Sequence, residues 1–284
     1  MSDPTRTKKK KKKRQGKTRR SRRTAATSDR HELYELSVQS PDAECDFIDK
    51  AWRQRRRRLA RSVREDFCGT ALSSAEWVKR RRDNTSIGVD IDAEVLDWAR
   101  SKLEDRLDPD QLRRLTLRQA DVRAVRTQPV DCVLAMNFSY FIFKTRDGLR
   151  QYFERVHKAL IDDGMFLLDA YGGSDSFVEM EERRKVDGFT YVWDQHSYNP
   201  INGDVVNYIH YEFPDGTRMA KAFAYEWRLW TLPEIQELLY EAGFSKVTVY
   251  WEGTDEDGEG DDDFTPTTVG EACPGWIAYL VVEK

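Results

Sequence analysis

The chain has 284 residues, 39% hydrophobic and 34% charged, with eight Trp among its aromatics; it is polar, yet able to build a core. It has no run of ~18 apolar residues, which excludes a membrane-spanning helix, and no apolar stretch follows the basic start, which excludes a secretory signal. The net charge of −3 hides an asymmetry: residues 1–23 hold 13 Lys and Arg against one acid, leaving 34 basic and 49 acidic residues for the rest.

The basic segment has almost no apolar content to offset the entropy of ordering, so residues 1–29 are expected to be a disordered tail on an acidic body. The expected location is cytoplasmic, or nuclear or nucleolar in a eukaryote. Cys45, Cys68, Cys132 and Cys273 are scattered without CxxC spacing, the pattern of reduced thiols rather than of a disulfide framework or metal centre.

Residues 30–60 read as helical and broken near Ser40-Pro41, with Leu33, Leu36, Phe47, Ile48 and Trp52 as the apolar face. The arginine-rich run 53–58 reads as a solvated helix end, with phosphate binding as the minor alternative. From residue 62 strands and helices alternate. Strands are expected at 62–66, 85–91, 115–121, 130–137 and 164–171, and helices at 71–82, 93–107 and 145–160. This order implies an α/β fold, a parallel sheet covered by helices on both faces. Residues 174–230 break the rhythm. Strands at 191–198, 204–213 and 219–230, joined by turns at 199–203 and 214–216, read as an antiparallel insertion. A helix at 232–242 and a strand pair at 246–251 and 276–283 complete the chain. The acidic stretch 253–263 reads as a solvated loop without the ligand spacing of an EF-hand.

The strand ends carry the chemistry. The first runs through Arg64-Glu65-Asp66-Phe67-Cys68-Gly69-Thr70 into a helix, a turn where small residues let a ligand approach the backbone. Asp90, 21 residues beyond Gly69 and followed by Ile91, is placed to accept ribose hydroxyls. As single residues, Asp90 is also readable as a helix cap and Asp121 as a turn residue, although Asp92 is better placed as the cap. The third strand ends in Asp121-Val122 and the fourth in Asn137-Phe138-Ser139-Tyr140. All four ends share the rim where open α/β sheets bind ligands. A dinucleotide is disfavoured by charge, because Glu65 and Asp66 would repel a pyrophosphate and suit a sulfonium and an ammonium instead.

This order of motifs resembles the class I S-adenosylmethionine-dependent methyltransferases, on the small-molecule and N-methyltransferase branch. The resemblance implies a Rossmann-like sheet of seven strands, mostly parallel, over residues 30–284, with residues 30–60 as a lid and the insertion as the roof of the acceptor pocket. It implies S-adenosylmethionine as cofactor without a metal. Glu65 matches the acid of the first motif, and Cys68-Gly69-Thr70 its loop, with Phe67 and Ala71 where glycines are usual. Arg64 and Asp66 then neighbour the methionine end. Asp90 matches the ribose acid and Asp121 the adenine acid, with Val122 beside it. Asn137, Tyr140 and Tyr171 are the candidates for orienting the acceptor, and Tyr34 for closing over the cofactor. Tyr198, Tyr208, Tyr211, Tyr225 and Trp227 are expected in an aromatic pocket, with Glu212, Glu226, Arg228, His196 and His210 as candidates for substrate contact. The tail leaves an RNA-, ribosome- or chromatin-associated methyltransferase open as the alternative, since polycations bind polyanions by counterion release. A non-catalytic S-adenosylmethionine-binding protein is the third.

Overall fold

Strand β5 (Leu160–Gly172) shows how the sequence pattern builds the centre. Phe166, Leu168 and Ala170 pack on one face of the sheet, while Met165 and Leu167 pack on the other. A strand buried on both faces needs this continuous apolar run. In a computed structural model, which describes residues 23–254 and 260–284, β5 joins β1 (Ser62–Asp66), β2 (Thr85–Asp90), β3 (Leu115–Gln119) and β4 (Val130–Ala135) in a parallel array. Three antiparallel strands follow: β12 (Trp276–Glu283) beside β5, then β10 (Lys246–Thr254) and β11 (Gly260–Thr267). The order is β11-β10-β12-β5-β4-β1-β2-β3. The sheet therefore has eight strands rather than the expected seven. The extra strand, β11, lies in and beyond the stretch expected to be a loop, where Phe264 stacks on Tyr279 at 4.0 Å and recruits the segment to the sheet. Residues 255–259 of that loop lie outside the described residues.

One face carries helix α2 (Pro41–Arg55), whose Trp52 is fully buried with Trp77 of α3 (Leu72–Arg80). Burying a large side chain of this kind contributes about 1.5–3 kcal/mol. The other face carries α6 (Arg146–Ala159) and α7 (Leu232–Glu241). Helix α4 (Ala93–Arg106) is capped by Asp92, whose side chain accepts from the Glu94 N–H, and the short α5 spans Pro109–Arg113. The arginine run does not end free in solvent. Arg56 pairs with Glu283 at 2.9 Å, and Arg58 with Asp131 at 2.7 Å and Asp163 at 2.9 Å, tying the end of α2 to the edge of the sheet.

The insertion is a separate four-stranded antiparallel sheet, β6 (Met180–Val186), β7 (Phe189–Asn199), β8 (Asp204–Glu212) and β9 (Arg218–Arg228). Strand β6 was not expected: its sequence, MEERRKV, is charged and exposed, and it is held by its ladder to β7 rather than by burial. Helix α1 (Arg30–Ser37) lies between this sheet and α4. Asp29 caps it, accepting from the His31 and Glu32 N–H groups and from the Trp98 indole. Glu32 pairs with Lys102 at 2.7 Å and Glu35 with Arg106 at 2.8 Å, while Leu33 packs with Phe189, Ile209 and Tyr211. Residues 23–29, assigned by sequence to the tail, pack here as well: Arg23 lies over the Phe189 ring, and the Ala25 N–H donates to Thr217. Residues 1–22 lie outside the described residues. Among the described residues no helix is long and apolar enough to cross a membrane.

Candidate active site

At the rim, β1 leads into α3 through a turn in which Phe67, Gly69 and Ala71 all have φ between 51° and 57°. Phe67 and Ala71 thus adopt the left-handed backbone that glycine takes freely, at a cost of roughly 1–2 kcal/mol each. The turn is held to β2: the Gly69 N–H donates to the Asp90 carboxylate at 2.8 Å, and the Cys68 N–H to the Val89 carbonyl at 3.0 Å. A Cβ on Gly69 would meet nothing within 4 Å, so the turn leaves open space beside its backbone. Asp90 is half-buried and also accepts from the Asp92 N–H, and Ile91 is exposed beside it. These features fit a ribose-bearing ligand lying along the turn.

Several expected cofactor residues point elsewhere. Arg64 and Asp66 are 1% exposed and form a two-pronged pair at 2.7 and 2.9 Å, with the Tyr152 hydroxyl donating to Asp66. Glu65 is buried and accepts from the N–H and hydroxyl of Ser74; burial pushes its carboxyl up to about 8. Neither carboxylate faces the turn, so the charge argument against a pyrophosphate loses its basis. Cys68 is buried in a small apolar cluster. Thr70, also buried, donates to the Gln39 amide oxygen at 3.1 Å and so links the turn to the α1–α2 junction. Asp121 sits at the rim but is engaged by Arg123, whose Nη2 lies 2.7 Å away and holds its carboxyl below the usual range. Val122 is packed in the core.

Beyond β4, Asn137 and Phe138 are two consecutive residues with φ of 58°. Their N–H groups donate to the two oxygens of Asp169, at 2.7 and 2.9 Å. Asp169 is buried, and desolvation outweighs these two bonds, lifting its carboxyl to about 7. Tyr140 does not reach the cleft. It is fully buried and its hydroxyl donates to the Asp169 carbonyl at 2.7 Å, so it secures the loop from below instead of contacting an acceptor.

Between this rim and the insertion lies a cavity of about 460 Å³. Asn137, Phe138 and Tyr171 form its floor, and Tyr34, Tyr191, Trp193, Tyr225 and Trp227 its roof. Tyr34 and Tyr225 share a hydrogen bond, and burial raises both hydroxyls. Burial also pushes Tyr171 up to about 12. Of the aromatics expected here, Tyr225 and Trp227 line the cavity. Tyr198 packs on Phe177, Tyr208 lies beside His196 and Lys221, and Tyr211 is buried under α1. Sequence reasoning missed Tyr191 and Trp193; their period-two spacing on β7 was the available signal. Among the charged candidates, Glu212 pairs with Arg183 and Arg218, and Arg228 with Glu234 at 2.7 Å. Glu226 is exposed, and His196 is exposed beside Asp194. His210 is buried, accepting from the Lys221 N–H at Nδ1, which places its remaining proton on Nε2 toward Asp194. None of these lines the cavity.

The comparisons agree with this architecture. Residues 65–164 match the family described as a methyltransferase domain. No curated protein matches the chain. Among solved structures, an S-adenosylmethionine-dependent methyltransferase from Clostridium acetobutylicum superposes with a TM-score of 0.66 at 17% identity, covering 89% of this chain and 96% of its own. CalS10, an amino pentose methyltransferase from Micromonospora echinaspora, gives 0.63 at 15% identity, with coverage of 89% and 95%. The sugar N-methyltransferase KedS8 from Streptoalloteichus gives 0.60 at 17% identity, with coverage of 100% and 98%. Over residues 65–164 the chain thus matches a methyltransferase-domain model, and across most of its length it shares the fold of these solved methyltransferases.

Proposed function

We propose that the protein transfers a methyl group from S-adenosylmethionine to a nitrogen of a small-molecule amine. The observation that carries this reading is the pairing of two features at one sheet rim. The open turn held by Asp90 at Gly69 follows β1, and Asn137, which lines an aromatic cavity under a separate roof, follows the neighbouring β4, within the stretch that matches a methyltransferase domain. The superposition on an amino pentose methyltransferase and a sugar N-methyltransferase supports a small acceptor.

Asp90 holds the ribose hydroxyls, with Gly69 giving close access to the backbone, and Asp121 serves the adenine once Arg123 swings aside. When bound, S-adenosylmethionine supplies an electrophilic methyl carbon; the acceptor nitrogen forms a bond to that carbon as the carbon–sulfur bond breaks and its electron pair stays on sulfur. The protein's own work in such a displacement is positioning. Asn137 and Phe138, pinned by Asp169, fix the floor of the cavity. Tyr34 and Tyr171 face the acceptor with hydroxyls that stay protonated at neutral pH, so they orient by hydrogen bonding rather than by removing a proton. Tyr34, with α1 clamped to α4, closes the cleft and excludes water.

Incubation with methyl-labelled S-adenosylmethionine tests the reading, with label counted separately in small-amine, protein and RNA fractions. Label in the small-amine fraction is expected. Label confined to protein or RNA would replace the acceptor assignment, and failure to bind either S-adenosylmethionine or S-adenosylhomocysteine in calorimetry would remove the activity.

A further inference from the structure

The cavity is selective in charge as well as shape. It is walled by aromatic rings on roof and floor, with Trp276 closing one side, and its other charged members are Asp175, Glu182 and Glu252. No Lys, Arg or His lines it among the described residues. Arg184, on the same face of β6 as Glu182, is directed to the Ser37 carbonyl and the Tyr191 ring. The rings form continuous walls: Tyr225 lies 4.4 Å from Trp227, Trp193 lies 6.0 Å from Tyr225, and Phe138 lies 4.7 Å from Tyr171. Aromatic faces carry a negative quadrupole that attracts organic cations, most strongly when water is excluded. Asp175 and Glu182 add attraction of the same sign, and they repel carboxylates and phosphates.

Resting on the methyltransferase reading, we infer that the acceptor is a diamine or polyamine: an amine with a second, charged nitrogen and no acid group. A nitrogen accepts a methyl group only with a free lone pair, so the attacking amine is neutral. The ring-walled, acid-rimmed cavity, by contrast, selects a cation. A substrate with two nitrogens satisfies both demands. One stays protonated against the rings and Glu182, and its charge depresses the pKa of the other, which reaches the Asn137 side as the free base. The methyl group adds one N–C bond and turns that neutral amine into an ammonium, so no proton must leave during the step. The product gains charge and remains compatible with the cavity; a second methylation of the same nitrogen first requires that ammonium to lose a proton to solvent and S-adenosylhomocysteine to be replaced by S-adenosylmethionine.

The test compares three chain-matched acceptors with labelled S-adenosylmethionine: 1,4-diaminobutane, 4-amino-1-butanol and 4-aminobutanoate. The expected kcat/KM falls at least tenfold from diamine to amino alcohol and further to the amino acid. Choline, which lacks an acceptor amine, should inhibit competitively against the diamine, while its neutral isostere 3,3-dimethyl-1-butanol should not. Glu182→Gln, at an exposed strand position, should raise KM for the diamine several-fold with little change in kcat, and Trp193→Leu should weaken choline inhibition. Equal turnover of diamine and amino alcohol, preference for the amino acid or for a mono-amino sugar, or equal inhibition by the neutral isostere would overturn the inference while leaving methyl transfer intact. Choline binding, read by tryptophan fluorescence, without turnover of any amine would instead remove the methyl-transfer reading and keep the cation site.

Discussion

The Asp169→Asn substitution isolates one buried group that organises the floor of the cleft. The wild-type carboxylate accepts from two consecutive N–H groups in a backbone that non-glycine residues adopt at a cost. An amide offers one oxygen, so one N–H loses its partner and faces an NH₂ donor. A lost hydrogen bond and an orphaned buried N–H set the expected destabilisation at about 1–3 kcal/mol near pH 5, where the wild-type carboxyl is largely protonated and both side chains are neutral. The pH dependence has a definite sign. The folded carboxyl titrates at about 7, above its ordinary value of 3.8. Between ~4 and ~7 the folded state therefore holds a proton that the unfolded state has lost. Stability from this group is fully present below ~4 and declines as pH rises to ~7, by about 1.4 kcal/mol per unit at most. The asparagine variant lacks that decline, so the gap between wild type and variant should narrow as pH rises from 5 to 7. Urea unfolding of both proteins at pH 5, 6, 7 and 8 reads the gap, and amide exchange at Asn137 and Phe138 reads the loop. Parallel stability curves, or unchanged protection of those two amides, would refute the argument.

Asp90→Ala should weaken S-adenosylmethionine binding by about 1.5–3 kcal/mol, roughly 10–150-fold in Kd, measured by calorimetry. Asp121→Ala should cost less, since Arg123 already competes for that carboxylate. Asn137→Ala should lower kcat more than cofactor affinity, and equal losses would make it a cofactor residue. Deleting residues 1–22, which carry twelve Lys and Arg, should leave cofactor affinity and turnover on a free amine unchanged while removing any salt-dependent affinity for RNA. A salt series on both proteins checks this, and a large loss of turnover would make the segment part of the active unit.

The sheet was legible because its signal is local. The continuous apolar run of β5, helical spacing in α4 and the break at Ser40-Pro41 each follow from short-range sequence. Strands β6 and β11 were not legible, because both are held by a partner strand supplied from elsewhere, and their own composition is polar or acidic. The same divide runs through the site. Gly69 and Asp90 could be read from their spacing and meet through a hydrogen bond of 2.8 Å. Glu65, Asp66 and Tyr140 carry the right chemistry at the right strand ends, yet each is claimed by a buried partner: Ser74, Arg64 and the Asp169 carbonyl. Sequence places a side chain on an element, whereas its direction depends on what the opposite element offers.

Backbone strain marks the site more sharply than residue type. Five non-glycine residues among those described have positive φ: Phe67, Ala71, Asn137, Phe138 and Lys221. Four of them lie in the two loops that border the cleft, one after β1 and one after β4. Each such residue costs of order 1–3 kcal/mol and persists only where its surroundings overdetermine it. Here those surroundings are identifiable: Asp90 grips the first loop through the Gly69 N–H, and Asp169 grips the second through two N–H groups. Both loops are thus held in shape by carboxylates from neighbouring strands before any ligand arrives. A displacement reaction that relies on placing a nitrogen in line with a methyl carbon gains from a floor whose geometry is set in advance, and the strain is the cost of that preorganisation.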